Sequence, residues 1–128
     1  MTDEPYVALQ TVMMPRDANP QGTIFGGVIL GLIDMAAYIG SKRLVIQAGG
    51  GVPVLVTVAI NRVEFLAPVF VGDVVRFLTT VEKLGRTSIT MRVKVEVERG
   101  AEVHQVTEAE LVYVAIDDES RPTPLLPS

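Results

Sequence analysis

"NPQGTIFGGVILGLIDMAAYIG", Asn19 to Gly40, decides the fold. From Val28 to Ile39 nearly every side chain is apolar, and Asp34 carries the only charge in the whole stretch. Lys42 and Arg43 follow where cations favour the negative end of a helix dipole, and "AGGG", Ala48 to Gly51, supplies a stop. The pattern predicts one long helix from about Gly27 to Gln47. A helix that is apolar on nearly every face must be covered on every face. One sheet covers one side, so the other cover is expected from a second subunit, and a dimer follows. Asp34 is the anomaly, because a buried acid without a partner is strongly unfavourable.

Outward from the helix the chain reads as strands. "YVALQTVMM", Tyr6 to Met14, is an expected strand, and Pro15 to Gly22 is rich in turn formers and is read as a loop. After the helix come "VPVLVTVAINRVEFLAP" from Val52 to Pro68, "GDVVRFLTTVEKL" from Gly72, "TSITMRVKVEVER" from Thr87 and "VHQVTEAELVYVAID" from Val103. The third of these alternates: Ile89, Met91, Val93, Val95 and Val97 share one face, and Thr90, Arg92, Lys94, Glu96 and Glu98 the other. Short turns between the strands imply antiparallel neighbours. The reading is α+β: one helix wrapped by one antiparallel sheet, in a single domain over residues 1–128. Residues 118–128, with three prolines, are expected as an extended surface tail.

Composition narrows the function. The chain has 128 residues, of which 48% are hydrophobic and 20% charged, with a net charge of −4. That charge argues against nucleic acid as a partner. With no cysteine there is no disulfide, thiol nucleophile or thiolate metal site, and the single His104 leaves no histidine relay and no expected metal site. The start "MTDEPY" is acidic where a signal peptide would be basic, and the apolar run from Ile24 to Ile39 is too short for a membrane span. The expectation is a soluble cytoplasmic protein.

Four features carry chemistry. Asp34 has no Lys, Arg or His within one helical turn, and unpaired acids in apolar settings cluster at functional sites. Gly26 and Gly27 open the helix, where N–H groups lack intrahelical acceptors and can receive a developing oxyanion. Asn19, taken alone, is a turn residue or cap on the helix approach. "LGRTS", Leu84 to Ser88, is an ordinary hairpin turn or, equally, a phosphate contact built from Arg86 with the Thr87 and Ser88 hydroxyls. His104, beside a turn, reads as structural or solvent-facing.

Together these stretches resemble the hotdog-fold acyl-CoA thioesterases, in particular the YciA and cytosolic acyl-CoA hydrolase branch. The resemblance rests on "MPRDANPQGTIFGGVILGLID", "NRVEFLAPVFVGDVV", "GRTSI" and "VTEAELVYVAID", in that order, and spans roughly residues 6 to 117. It implies a long central helix wrapped by a five-stranded antiparallel sheet, dimers that assemble further as hexamers (trimers of dimers), and hydrolysis of acyl-CoA to a free acid and CoA in lipid metabolism. It implies Asp34 as the catalytic carboxylate, the Gly26 N–H on the thioester oxygen, and Asn19 orienting thioester or water. Gly27, Thr57 and Ala59 would border substrate, and Arg86, Thr87 and Ser88 would meet CoA. No cofactor is implied, since CoA belongs to the substrate. Hydratases of similar fold use a histidine near the helix, and none stands there. The alternatives are a non-catalytic module binding acyl-CoA or fatty acid, and a structural oligomer, which leaves Asn19, Gly26 and Asp34 unexplained.

Overall fold

A computed structural model describes residues 4–51 and 53–127. Strand β1 (Tyr6–Val12) leads through a 3₁₀ turn at Pro15–Asp17 to helix α1 (Gly26–Gln47). Strands β2 (Leu55–Phe65), β3 (Val74–Leu84), β4 (Ser88–Arg99) and β5 (Glu102–Ala115) follow. The expected strand from Val52 is shorter at both ends, and Val52 itself lies outside the described residues, as do Met1–Asp3 and Ser128.

The five strands form one antiparallel sheet in the order β1-β3-β4-β5-β2, with α1 packed across it, which is the hotdog arrangement. One pairing departs from the expectation. β2 and β3 are consecutive but lie apart, because β2 pairs with β5 at one edge while β3 sits between β1 and β4. The segment between them crosses from one side of the sheet to the other.

The predicted alternation of β4 holds: Ile89, Met91, Val93, Val95 and Val97 are all buried against α1, with Phe77, Leu111 and Tyr113 from the neighbouring strands. The opposite face is charged, with Arg92 gripped between Glu82 and Glu108 and Arg76 3.0 Å from Glu96. Contact between α1 and β3 is so close at Gly40 that a Cβ there would lie 2.4 Å from Thr79 Oγ1, which only glycine permits. Arg99 bonds Asp73 at 2.7 Å and holds that carboxyl below the usual carboxylate range, fastening the Gly72–Asp73 turn to the end of β4.

Within one chain the helix is covered on one face only. Ile29, Ile33, Ala36, Ala37, Gly40, Ser41 and Val45 are buried, whereas Met35 is 53% exposed. On the edge strand β2, Val56, Val58 and Ile60 are also exposed. The tail is less loosely draped than expected. Thr123 N–H donates to the Ala115 carbonyl, Leu125 N–H donates to the Arg86 carbonyl at 3.0 Å, and the Leu125 side chain is buried.

Candidate active site

The approach to α1 is pinned from several sides. Asn19 Oδ1 accepts from the N–H groups of Gln21 and Thr23 at 3.0 and 3.1 Å, and its Nδ2 donates to Thr23 Oγ1 at 2.7 Å. The turn reading of Asn19 therefore holds, and one of its two amide hydrogens has no acceptor among the described residues. Ile24 N–H donates to Val69, and Phe25 N–H to Asp17. Phe25 caps the helix with no side-chain hydrogen bond. The N–H groups of Gly26 and Gly27 donate to nothing among the described residues. The Phe65 ring covers the start of the helix, so that a Cβ on Gly26 would sit 3.2 Å from Phe65 Cζ.

Asp34 lies two turns further along. It is half-buried rather than buried, and it is not unpartnered. Thr57 Oγ1 donates to its Oδ1 at 2.9 Å, and the Tyr113 hydroxyl lies 2.6 Å from the same oxygen and 2.5 Å from the Asp34 carbonyl. Thr57 and Tyr113 face each other across β2 and β5, so a single cross-strand pair grips one carboxylate oxygen. Tyr113 is almost wholly buried, with its ring edge-on to Tyr38. Burial, reinforced by the Asp34 carboxylate, pushes the Tyr113 phenol above its ordinary range, so it stays a donor. Oδ2 of Asp34 has no partner among the described residues. The result is a carboxylate held by neutral donors, with no cation paired to it among the described residues and one oxygen open.

Among the described residues, none of the remaining candidates hydrogen-bonds to the Asp34 side chain. Ala59 follows Thr57 across a register shift of β2. Arg86 and Thr87 form the turn between β3 and β4, closed by Gly85 N–H on the Ser88 carbonyl and tied down by Ala115 and Leu125. Arg86 is exposed, with no acid partner among the described residues. His104 pairs with Glu102 at 3.2 Å, in keeping with a surface role. No cluster of three potential metal ligands occurs among the described residues, and no helix among them is long and apolar enough to cross a membrane.

Tyr113 was not singled out from the sequence. On β5 it continues the inward series of Ala109 and Leu111, and an inward aromatic reads as core. The available signal was its hydroxyl, which needs a buried partner.

The sequence and the fold have known counterparts. The family described as "Thioesterase superfamily" matches residues 21–104. The acyl-CoA thioester hydrolase YciA of Salmonella typhimurium is 37% identical over 97% of this chain and 92% of its own length. A hexameric thioesterase from Yersinia pestis superimposes with a TM-score of 0.86 at 35% identity, covering all of both chains. An acyl-CoA hydrolase from Staphylococcus aureus, 25% identical, superimposes with a TM-score of 0.80 over 91% of this chain and 67% of its own. It has been solved as an asparagine-to-alanine variant with coenzyme A and as an aspartate-to-alanine variant. The chain belongs to the thioesterase superfamily, in the branch of the YciA acyl-CoA thioester hydrolases.

Proposed function

We propose that this chain hydrolyses acyl-CoA thioesters to a free carboxylic acid and CoA, with Asp34 as the reacting carboxylate. The observation that carries this is the Asp34 side chain, with Oδ1 pinned by Thr57 and Tyr113 and Oδ2 open. A thioester needs a nucleophile and a polarised carbonyl, while the thiolate leaves readily without a strong acid. Oδ2 can draw a proton from water or attack the carbonyl carbon itself. The unclaimed Gly26 and Gly27 N–H groups are suited to the oxygen that becomes negative. The spare Asn19 amide hydrogen can orient the thioester or the water. In the S. aureus hydrolase the altered asparagine and aspartate stand fifteen positions apart, the separation of Asn19 and Asp34 here. Thr57, Ala59, Arg86, Thr87 and Ser88 would line the path of the CoA arm. The chemistry asks for no cofactor.

The exposed β2 edge and Met35 supply the reason for a dimer. An open, apolar edge strand invites pairing with another strand, and a second copy would cover both features. Thr57 lies on that edge, so Asp34 would sit at the seam, with each site shared between subunits. Trimers of such dimers would give the hexamer recorded for the Y. pestis relative. The acidic, cysteine-free chain suits the cytoplasm.

Release of free thiol from a panel of acyl-CoAs tests the activity; binding without release would leave a non-catalytic module. In the same assay Arg86→Ala should raise KM for acyl-CoA about tenfold with little change in kcat, the scale of losing a charged hydrogen bond. It should have little effect on an acyl-pantetheine thioester that lacks the nucleotide. Equal losses on both substrates would remove Arg86 from CoA recognition. Tyr113→Phe keeps the ring and deletes the donor. It should lower kcat about tenfold or more with KM nearly constant, because a hydrogen bond to a charged group is worth roughly 1.5–3 kcal/mol. A change confined to KM would contradict the positioning role.

A further inference from the structure

Helix α1 begins without a side-chain cap of its own at Phe25, so the place of its first turn depends on backbone bonds made just before it. One is Phe25 N–H on the Asp17 carbonyl. The others come from residues 66–73, the crossing between β2 and β3: Ile24 N–H donates to the Val69 carbonyl at 2.8 Å, and Thr23 bridges to Phe70. The crossing is held at both ends by backbone. The Leu66 and Ala67 N–H groups donate to the Val106 carbonyl, and Met13 exchanges bonds with Gly72 and Asp73. Its middle is gathered by Arg99, at the end of β4. The guanidinium donates to both Asp73 carboxylate oxygens, at 3.2 and 2.7 Å, and to the Pro68 carbonyl at 3.0 Å, and lies 5.1 Å from the Phe70 ring centre. Asp73 in turn accepts from Phe70 N–H at 2.8 Å. The Asp73 side chain is only 11% exposed and the contact is bidentate, so this pair is stronger than an ordinary surface ion pair.

We infer that Arg99 is a positioning residue for the hydrolysis: by fixing the crossing it sets the Val69 carbonyl, and through Ile24 it aims the Gly26 and Gly27 N–H groups at the thioester oxygen. This rests on the acyl-CoA reading above. Arg99 itself touches no reacting atom. Its effect is geometric, because donors to a developing oxyanion work only where that charge forms, and a misplacement of about 1 Å can cost on the order of a hundredfold. Backbone donors have no rotamer with which to recover a lost aim, so their accuracy is that of the chain around them. With both ends of the crossing tied by backbone, the fold does not depend on Arg99; the exact place of Pro68–Phe70 does. The carboxylate end of the chemistry is independent of it, since Asp34 is held by Thr57 and Tyr113, and neither belongs to the crossing.

The experiment uses Arg99→Met, which keeps the aliphatic bulk and removes the guanidinium. Because that change strands the Asp73 charge, it is paired with the double variant Arg99→Met, Asp73→Asn, whose amide oxygen can still accept from Phe70 N–H. On an acyl-CoA that the wild type cleaves, both should lower kcat on the order of tenfold or more and leave KM within about twofold. The acid limb of the pH–kcat profile, set by Asp34, should keep its position. Hydrogen exchange followed by mass spectrometry should quicken at Thr23–Gly27 and Val69–Val71 and stay unchanged at Thr57 and Tyr113, with Tm lower by only a few degrees. Wild-type kcat in both variants, a loss confined to KM, or unaltered exchange at Thr23–Gly27 would overturn the inference while leaving the hydrolase reading intact. Protection lost throughout the chain in both variants, or failure of both to fold, would also overturn it, because Arg99 would then serve the fold. Failure of the wild type to cleave any acyl-CoA would sink the hydrolase reading and this inference with it.

Discussion

Asp34→Asn is expected to fold as the wild type does and to lose on the order of a hundredfold or more in kcat, the scale of removing a general base. The substitution is nearly isosteric. Thr57 and Tyr113 can still donate to the remaining amide oxygen if it takes the place of Oδ1. What disappears is the open, charged Oδ2, the only atom of the group free to accept a proton or attack carbon. KM should move little, because the substrate's binding surface is unchanged. Circular dichroism and Tm would confirm the fold, and thiol release would report the rate. A rate near that of the wild type would make Asp34 a structural acid and end the proposed chemistry. A large drop in Tm would show instead that the charge itself is needed by the Thr57–Tyr113 pair.

Much of this arrangement is legible in the amino-acid order, and the limits have physical causes. The helix is legible because Asn19–Gly40 has no competing pattern, and the β4 face because strict alternation has one interpretation. Asp34 announces itself as a charge in an apolar helix. Its partners do not, since Thr57 and Tyr113 lie 23 and 79 positions away and meet it only through the pairing of β2 with β5. Strand order fails for a related reason. Short connections favour antiparallel neighbours, and every pair is antiparallel, yet the segment after β2 carries the chain across the sheet to a strand that is not its neighbour. Asp34 also proved half-buried, because apolar sequence neighbours do not by themselves enclose a side chain when one helix face lies open. Leu125 in the tail was hidden by its three prolines, which signal extension but not the backbone bond to Arg86 that seats it.

That open face bears on the second large expectation: mixing two inactive variants should restore activity. Gly26 and Asp34 are eight residues apart on one helix, which is about 12 Å along its axis at 1.5 Å per residue. A carboxylate that distant cannot serve the carbonyl held at its own Gly26, even through one water. Two antiparallel copies of α1 across a two-fold axis would bring Gly26 and Asn19 of one subunit to Asp34 of the other, twice. Co-expression of Asn19→Ala with Asp34→Asn then has a definite outcome. In a mixed dimer one site carries both defects and the other carries neither. Random pairing makes half of the dimers mixed, and each holds one sound site of two, so activity should recover to roughly a quarter of wild type. Each variant alone should be folded and nearly inactive. If Asn19 and Asp34 act within one chain, every site in every dimer keeps a defect, and purified mixed dimers would show no recovery. Their recovery would locate the reacting groups on two chains and explain why an apolar helix with one open face carries a catalytic acid.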